Sequence, residues 1–586
     1  MITDIVVKYD TKTKRLVINV PFHLNEIARS FPSKRFDPKS KTWRMPLVQG
    51  NIRHIDSIKH LYPFKFTEEA DEAIKNYAAL NSGPVYQPFP RHLYDFSLSK
   101  SGYSPMQHQD KMLDKVWNLP AAAWFAKMGT GKTFAAIHLM FARFKAGLID
   151  GVIISCPSTL RSTWRKELAK YATGDYDYRI HETKASWLKE FYAQKSDPKK
   201  PVLQILAVSV EGLGVSEQLY DSVCGFFPNR RIFLVQDESS RIKSPKALRT
   251  QRSINLGACA AYRLILNGTP IALGIQDLWS QYEFLDPNII GMGDYWAFKT
   301  KYVVMGGYEM KQIVGYQNVE ELMGLIEPYT VEVGKDVLNL PPKVPKQRYV
   351  TATPEQKRLL KIIKKGGSDD PNDPIIKVDN ALERVLRWRQ VVGGWLPRSV
   401  PEELPNGEIV WNTVLEPLAK NPKMDDLFNM IEDHNAGSKF IIWTPFVHEI
   451  EYIIARLAKV YGPDSVRAYY GKTDKSLRSD IEDAYCNDPQ MRYFVGNAAS
   501  AGLGLTLISG ESDIMVYYSG TNAYIDRAQS EDRAHRIGQH NSVVVADIIM
   551  ERTVDESIAA SIALKMNVEE YIMERLAKGE PLQFEG

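Results

Sequence analysis

Lys132 and Thr133 close the stretch AAAWFAKMGTGKT, residues 121–133, directly behind Gly129 and Gly131. A bound nucleoside triphosphate needs small residues whose backbone N–H groups can approach phosphate, an ammonium that reaches the β and γ oxygens, and a hydroxyl for Mg²⁺. Gly129, Thr130, Gly131, Lys132 and Thr133 meet those needs, and Ala126 stands where the general pattern G-x-x-x-x-G-K-[ST] has its first glycine. The plainer reading is a glycine turn between a strand and a helix. Asp237 and Glu238 follow Lys132 by 105 and 106 residues, at the end of the apolar run Ile232 to Val235. One carboxylate suits the Mg²⁺ shell and the next suits orienting an attacking water. A third constellation, Gln529, Arg533 and Arg536 in DRAQSEDRAHRIGQ, has spacings of four and three. On a helix those spacings share one face, from which arginines could stabilise charge on a γ-phosphate. A surface helix with Glu531 and Asp532 paired to those arginines is the competing reading.

Elements must hold these groups in place. AAAWFA reads as a buried strand and FAAIHLMFARFKAG as a buried helix with a glycine stop, so strand, loop and helix follow in P-loop order. Strand-like runs at 152–157 and 263–270 complete one nucleotide-binding lobe. Apolar runs at 439–446, 491–498, 512–520 and 542–550 alternate with helical stretches, which predicts a second parallel sheet without its own lysine loop. The expected fold is α/β: two RecA-like parallel-sheet lobes with helical protrusions, plus a small basic αβ N-terminal module. Its boundaries are 1–95 for the module and connector and 96–340 for the first lobe, with a protrusion at about 279–335. An inter-lobe segment and second protrusion take 341–430, the second lobe 431–552, and a brace helix and tail 553–586.

The module repeats itself: YDTKTKRLVINVP at 9–21 and FDPKSKTWRMP at 36–46 each read as a hairpin with lysines at its tip, joined by one short helix at LNEIARS. Residues 1–60 hold 12 Lys and Arg against 5 Asp and Glu, an excess of seven on a chain whose net charge is +4. Lys12, Lys14, Lys39, Lys41 and Trp43 are candidates to grip phosphates and stack on a base, with Trp43 as a core aromatic the alternative. The 586 residues, 44% of them apolar, suffice for several cores, and four scattered cysteines outline neither a disulfide framework nor a zinc site. No apolar stretch approaches the ~18 residues of a membrane span. A monomer in a reducing, cytoplasmic compartment of a bacterium or infected host, associated with the nucleoid, is the expectation.

Read in order, the motifs resemble a superfamily-two helicase-like ATPase of the Swi/Snf class, most similar to the HARP-type annealing helicases and their small phage and bacterial relatives. SPMQHQ resembles the adenine-reading glutamine motif and assigns Gln107 that role. AKMGTGKT resembles motif I, CPSTLRSTWRKEL motif Ia, DESSRIKSPKALRT motif II and LNGTPI motif III. LPPK at 340–343 resembles the inter-lobe segment, FIIWTPF motif IV, SAGLGLTL motif V with Gly504 at the nucleotide, DRAHRIGQ motif VI, and ERTVDESI the start of the brace. RFDPKSKTWRMPL is similar to the HARP-like module. Ser239 and Ser240 depart from the usual alanine and histidine, and Ala499 stands where motif V usually has threonine.

The resemblance implies ATP and Mg²⁺ as cofactors, with Thr133 and Asp237 at the metal. It implies two lobes that hold DNA while ATP binds between them, with little sequence preference. Arg161, Trp164, residues 209–212, Arg241, Lys243 and Lys246 are the DNA-contact candidates beside the motif loops. The leading expectation is a duplex translocase that remodels forks or reanneals strands, in DNA repair, replication or recombination. A strand-separating helicase, a motor stripping RNA polymerase or another protein from DNA, and a non-catalytic scaffold remain open. A single-strand-binding, replication or transcription protein is a further candidate partner.

Overall fold

The computed structural model describes residues 5–563 except 12–14, 32–33, 39, 48, 82–88, 183–185, 195–198, 269, 272–273, 307–311, 339, 367–380, 404–408, 436, 475–476, 500–504, 511–512, 522–523, 537 and 561. Lys12, Lys14, Lys39, Gly504, Ser500 and most of the expected brace and tail therefore lie outside the described residues. The described chain falls into two compact units that meet in sequence between Val337 and Leu338.

The first unit opens with the predicted pair of hairpins. Strands β1 (Ile5–Asp10) and β2 (Arg15–Asn19) form one, helix α1 (Asn25–Ser30) follows, and β3 (Arg35–Asp37) with β4 (Thr42–Pro46) forms the other. Helix α2 (Gln49–Ile58), strand β5 (Phe64–Phe66) and helix α3 (Glu68–Asn81) complete the module, with sheet order β3-β4-β2-β1-β5. β5 was not expected: its three residues are too few to show a period, and it is held by parallel pairing with β1. Alternate residues Ile5 and Val7, then Leu16 and Ile18, are fully buried, the pattern of a sheet with one covered face.

Helix α4 (Gln107–Val116) leads into a seven-stranded sheet. Its strands are β6 (Ala121–Ala126), β7 (Gly151–Cys156), β8 (Tyr176–Ile180), β9 (Leu203–Ser209), β10 (Ile232–Asp237) and β11 (Tyr262–Asn267), with β14 (Thr330–Val333) at one edge. All pairs are parallel in the order β14-β6-β11-β10-β7-β9-β8. Every residue of β6, β7, β9 and β10 is buried, as expected of a parallel sheet covered on both faces. Helices α5 (Lys132–Lys145) and α6 (Leu160–Tyr171) follow β6 and β7.

Two expectations for this unit need correction. The segment from residue 279 to 335 is not wholly helical: strands β12 (Val303–Gly306) and β13 (Gln312–Tyr316) pair as a hairpin within it, and β14 belongs to the main sheet. The stretch before residue 95 is not all connector either. Tyr94 is 5% exposed, its hydroxyl hydrogen-bonds Thr173 Oγ1 (2.8 Å) and His138 Nδ1 (3.1 Å), and the Trp117 indole donates to the Phe89 carbonyl. Residues 89–98 are thus a layer of the sheet unit.

The second unit holds a parallel sheet of β15 (Lys343–Val350), β18 (Lys439–Trp443), β19 (Val466–Tyr469), β20 (Tyr493–Gly496), β21 (Asp513–Tyr517) and β22 (Val543–Met550), in the order β15-β22-β21-β18-β20-β19. The expected protrusion contains helices Pro354–Lys364 and Ala381–Val392, but an antiparallel hairpin, β16 (Trp395–Glu403) with β17 (Ile409–Pro417), follows them. Trp395 is 7% exposed and stacks edge-on to His448 and Tyr452, so the VVGGW tryptophan is a packing residue. Among the described residues no helix is long and apolar enough to cross a membrane.

Candidate nucleotide-binding site

Strand register gathers the first unit's chemistry at one edge. Asp237 pairs with Leu266, and Asn267 with Phe125, so β10, β11 and β6 end level at their carboxyl ends, where open α/β sheets bind ligands. The turn after β6 puts Gly129 and Gly131 at φ +84° and +83°, conformations that side chains disfavour. At Gly131 a Cβ would also sit 2.1 Å from Gln109 Nε2, so that side chain would have to move. Gly131 caps α5, which begins at Lys132, so Lys132 and Thr133 occupy the helix's first turn with its free N–H groups. The Lys132 ammonium donates to the carbonyls of Ala126 and Lys127, the latter at 3.2 Å.

Two residues not foreseen hold this loop. His108 Nε2 lies 2.8 Å from the Thr130 carbonyl, and Gln109 Nε2 donates to the same oxygen at 3.1 Å. Gln109 Oε1 accepts the Met106 N–H, which closes a capping box at the start of α4. Gln107, assigned to adenine, is exposed at that helix's first position.

The acidic pair is buried, Asp237 at 8% and Glu238 at 7% exposure. Burial pushes the Asp237 carboxyl up, opposed by the Trp164 indole, the Lys132 charge and the Glu238 backbone N–H. Glu238 adopts φ 51°, ψ 57°, a left-handed conformation that costs an L-residue on the order of 1–2 kcal/mol and collects at functional sites. Ser239 occupies a fully buried network: its Oγ donates to Gln281 Oε1 at 2.5 Å and accepts from Asn267 Nδ2 at 3.2 Å. The departure at Ser239 therefore supplies a direct hydrogen bond from the acidic segment to Asn267 of LNGTP.

The DNA-contact candidates separate. Arg161 is partly exposed at the start of α6, and Arg241 is exposed. Lys243 lies 3.7 Å from Asp277, and Lys246 sits over the ring of Trp296, which is 58% exposed. Lys41 is exposed at φ 53°. Trp164 is not on the surface: it is 1% exposed and its Nε1 donates to Asp237 Oδ2 at 3.0 Å, so it is removed from the DNA set. Trp43 is half-buried, donates to Asn25 Oδ1 at 3.1 Å and packs on Phe36, the behaviour of a core aromatic.

In the second unit the expected shared helical face does not form. The helix Tyr524–Glu531 carries half-buried Gln529 and ends before either arginine. Arg533 is 1% exposed and donates to the Leu505 carbonyl at 3.3 Å, while its own carbonyl accepts the Leu507 N–H. Arg536, partly exposed, reaches Leu505 O and Thr506 Oγ1 at 3.4 and 2.9 Å. Glu531 is tied to Arg527 and Lys343, not to these arginines.

Residues 122–390 match the SNF2-related domain. The chain carries an SNF2-related domain. By that span it is similar to the Swi/Snf class of helicase-like ATPases. It is similar to human TATA-binding protein-associated factor 172, at 24% identity over 75% of this chain and 26% of that protein. It is also similar to Protein CHROMATIN REMODELING 19 of Arabidopsis thaliana, at 22% over 76% of this chain and 65% of that one. The chain thus spans from about a quarter to just under two thirds of the length of these curated relatives. Among solved structures, the Sulfolobus solfataricus SWI2/SNF2 ATPase core in complex with dsDNA matches 82% of this chain and 94% of its own, at 23% identity and a TM-score of 0.36. In this SNF2-related domain the matched span runs from β6 through the acidic pair to the helix Ala381–Val392, so it contains Lys132, Asp237 and Glu238.

Proposed function

We propose that this protein is an ATP-driven motor on DNA, a translocase that moves along duplex and remodels branched structures by fork regression or strand annealing. The observation that carries the reading is the level ending of β6, β11 and β10, which brings the Lys132 loop and the Asp237–Glu238 pair to one sheet edge. In this reading Gly129 to Thr133 cradle the phosphates of ATP, Lys132 leaves its backbone carbonyls for phosphate oxygens, and Glu238 orients the attacking water. Arg536 stabilises charge developing on the γ-phosphate, Gln107 contacts adenine, and Arg161, Arg241, Lys243 and Lys246 meet the DNA backbone. Such contacts are electrostatic, so binding falls steeply with salt and reads little sequence.

The donor set fits Mg²⁺. Asp237 is a buried carboxylate close to Thr133's loop, and an ion that keeps waters and takes one or two protein oxygens alongside substrate phosphates suits it. Asp237 and Thr133 would hold the ion, which when bound would neutralise charge on the phosphates.

The names of the relatives point to chromatin and to transcription factors, which supports DNA as the partner class. The basic two-hairpin module supports the finer reading, branch recognition. The test is steady-state ATP hydrolysis with no DNA, single strand, blunt duplex and a model fork at equal nucleotide concentration, with Lys132→Ala as control. Stimulation by duplex or fork well above single strand, abolished in Lys132→Ala, is the expected result. Stimulation by single strand alone would instead mark a strand-separating helicase, and undiminished turnover in Lys132→Ala would sink the ATP site.

A further inference from the structure

Trp164 was expected to touch DNA, but its indole is sealed inside the first unit and its N–H is spent on a catalytic carboxylate. Both oxygens of that carboxylate are held: Oδ2 accepts the indole N–H at 3.0 Å, and Oδ1 accepts the Glu238 backbone N–H at 2.9 Å. The backbone bond fixes one oxygen locally. The indole bond comes from 73 residues away, on α6, and holds the other oxygen.

The helix that carries Trp164 begins at a different surface. β7 ends at Cys156, and α6 starts at Leu160 with Arg161 in its first turn and Trp164 one turn further on. Arg161 is partly exposed there, and its neighbours define a small polar patch. Its Nε donates to the Ser158 carbonyl at 3.2 Å, and the Ser158 N–H donates to Glu211 Oε2 at 3.2 Å. Glu211 also accepts from Ser209 Oγ at 2.9 Å. The Tyr178 hydroxyl donates to the Arg161 carbonyl at 2.5 Å, pinning this end of the helix to β8. These are two segments, residues 157–164 and 209–212, that the sequence offers as candidates for nucleic-acid contact. Three residues of helical backbone, about 4.5 Å of rise, separate Arg161 from the side chain that holds Asp237.

We propose that Trp164 is a positioning residue that links DNA engagement at the start of α6 to the orientation of the Asp237 carboxylate. The inference rests on the ATP-driven DNA motor reading and deepens it, by naming how bound DNA reaches the hydrolytic site. A phosphate drawn to Arg161 biases where the first turn of α6 sits, and the indole N–H moves with it. The carboxylate is then turned, or held, for the ion that accompanies ATP. Coupling of this kind needs a contiguous element that both sites bias, and α6 is such an element. A bulky aromatic at this position fills the core in any case. What the proposal adds is that the N–H, not the ring volume, carries the effect.

The test compares Trp164→Phe, which keeps most of the ring and loses the donor, with Trp164→His, which is smaller and keeps an N–H. The first readout is binding, not turnover: the Mg²⁺ concentration that gives half-maximal binding of a fluorescent ADP, with and without blunt duplex. The second is the ratio of duplex-stimulated to basal kcat. Trp164→Phe should raise the Mg²⁺ midpoint and lower the stimulation ratio by roughly tenfold, the size expected for losing one hydrogen bond to a charged group. Its affinity for duplex should stay at the wild-type value. Trp164→His should stay within about threefold of wild type in both readouts, despite the larger loss of volume. If Trp164→His is as impaired as Trp164→Phe, or worse, the role is packing alone and the proposal is overturned. A Trp164→Phe protein indistinguishable from wild type overturns it as well. Should Trp164→Phe not fold, Trp164→His read against wild type decides: retained coupling supports the link and lost coupling removes it. Wild type that no DNA stimulates would overturn the motor reading itself, an outcome separate from a stimulated wild type with an unaffected Trp164→Phe.

Discussion

Arg533 and Arg536 are three residues apart and do different things. Arg533 is buried and braces the Leu505 segment from inside, whereas Arg536 is partly exposed and bonded to the same segment's edge. Arg536→Ala should therefore leave the thermal unfolding temperature close to wild type and slow DNA-stimulated hydrolysis by about 10³-fold or more, the worth of an arginine finger. Arg533→Ala should lower the unfolding temperature by several degrees, since it removes a buried, hydrogen-bonded guanidinium and opens a cavity. Equal loss of stability in both would remove the distinction. A second single-residue prediction concerns His138, buried on α5, whose pKa burial depresses to about 4. Between about pH 6.5 and 4 the unfolded chain takes up a proton there that the folded chain refuses, so this group's stabilisation is present above that window and lost as pH falls through it. The contribution is on the order of 3 kcal/mol. His138→Phe should flatten the fall in unfolding temperature between pH 7 and 5, and an unchanged slope would show that other groups set it. At this scale the sequence was legible where chemistry depends on side-chain type and spacing, as for Lys132, Thr133, Asp237 and Glu238. It was opaque where a side chain answers the backbone: His108 and Gln109 serve the Thr130 carbonyl, which no pattern of side chains reveals.

The fully buried strands β6, β7, β10, β18, β20 and β21 were readable as apolar runs, because burial on both faces removes polar positions altogether, whereas β9, equally buried, was not picked out. The short strands β5 and β14 and the hairpin strands β12, β13, β16 and β17 were not, because three to five residues show no period and nine-residue strands interrupted by proline and charge mimic loops. The helix ending at Glu531 was misread for a related reason. Its spacing favours continuation, but the helix stops at Glu531, which is buried in a pairing with Arg527 and Lys343 and not with Arg533 or Arg536. The second unit contains another such tie, and it spans elements far apart in sequence. Lys423, fully buried at the start of helix Pro422–Glu432, pairs with Asp555 at 2.5 Å and donates to the Tyr518 carbonyl at 2.9 Å. Removing one partner of a buried pair leaves an uncompensated charge, at about 3–5 kcal/mol. Asp555→Ala should therefore lower the second unit's unfolding midpoint in denaturant, and the double change Lys423→Met with Asp555→Ala should recover much of it. A double variant no more stable than Asp555→Ala would mean that lost packing, and not the orphaned ammonium, sets the cost.

The N-terminal module and the sheet unit behind it are not joined by a passive tether. Arg15 on β2 pairs with Asp221 at 2.9 Å, both side chains less than one-fifth exposed, and α2 packs on the helix Leu248–Cys259. Beyond α3 the chain returns to the sheet unit at Phe89, whose carbonyl takes the Trp117 N–H, and at Arg91, which pairs with Asp110 and Asp114 of α4. Because α4 also carries His108 and Gln109, these contacts stand one helix away from the nucleotide loop. A cut at residue 95 thus removes more than a module, since it also takes Tyr94 out of the core and Arg91 off α4. Deleting residues 1–81 should leave basal ATP hydrolysis near wild type while reducing the preference for a fork over blunt duplex, because the module is lost while the layer of residues 89–98 stays on α4. Deleting residues 1–95 should lower basal hydrolysis and the unfolding temperature together, because it strips the layer that holds α4 against α5. Measured side by side, the two truncations separate a branch-selecting role from a structural one. Equal collapse of both would make the module part of the motor's core, and an unchanged fork preference in the shorter deletion would take branch recognition away from it.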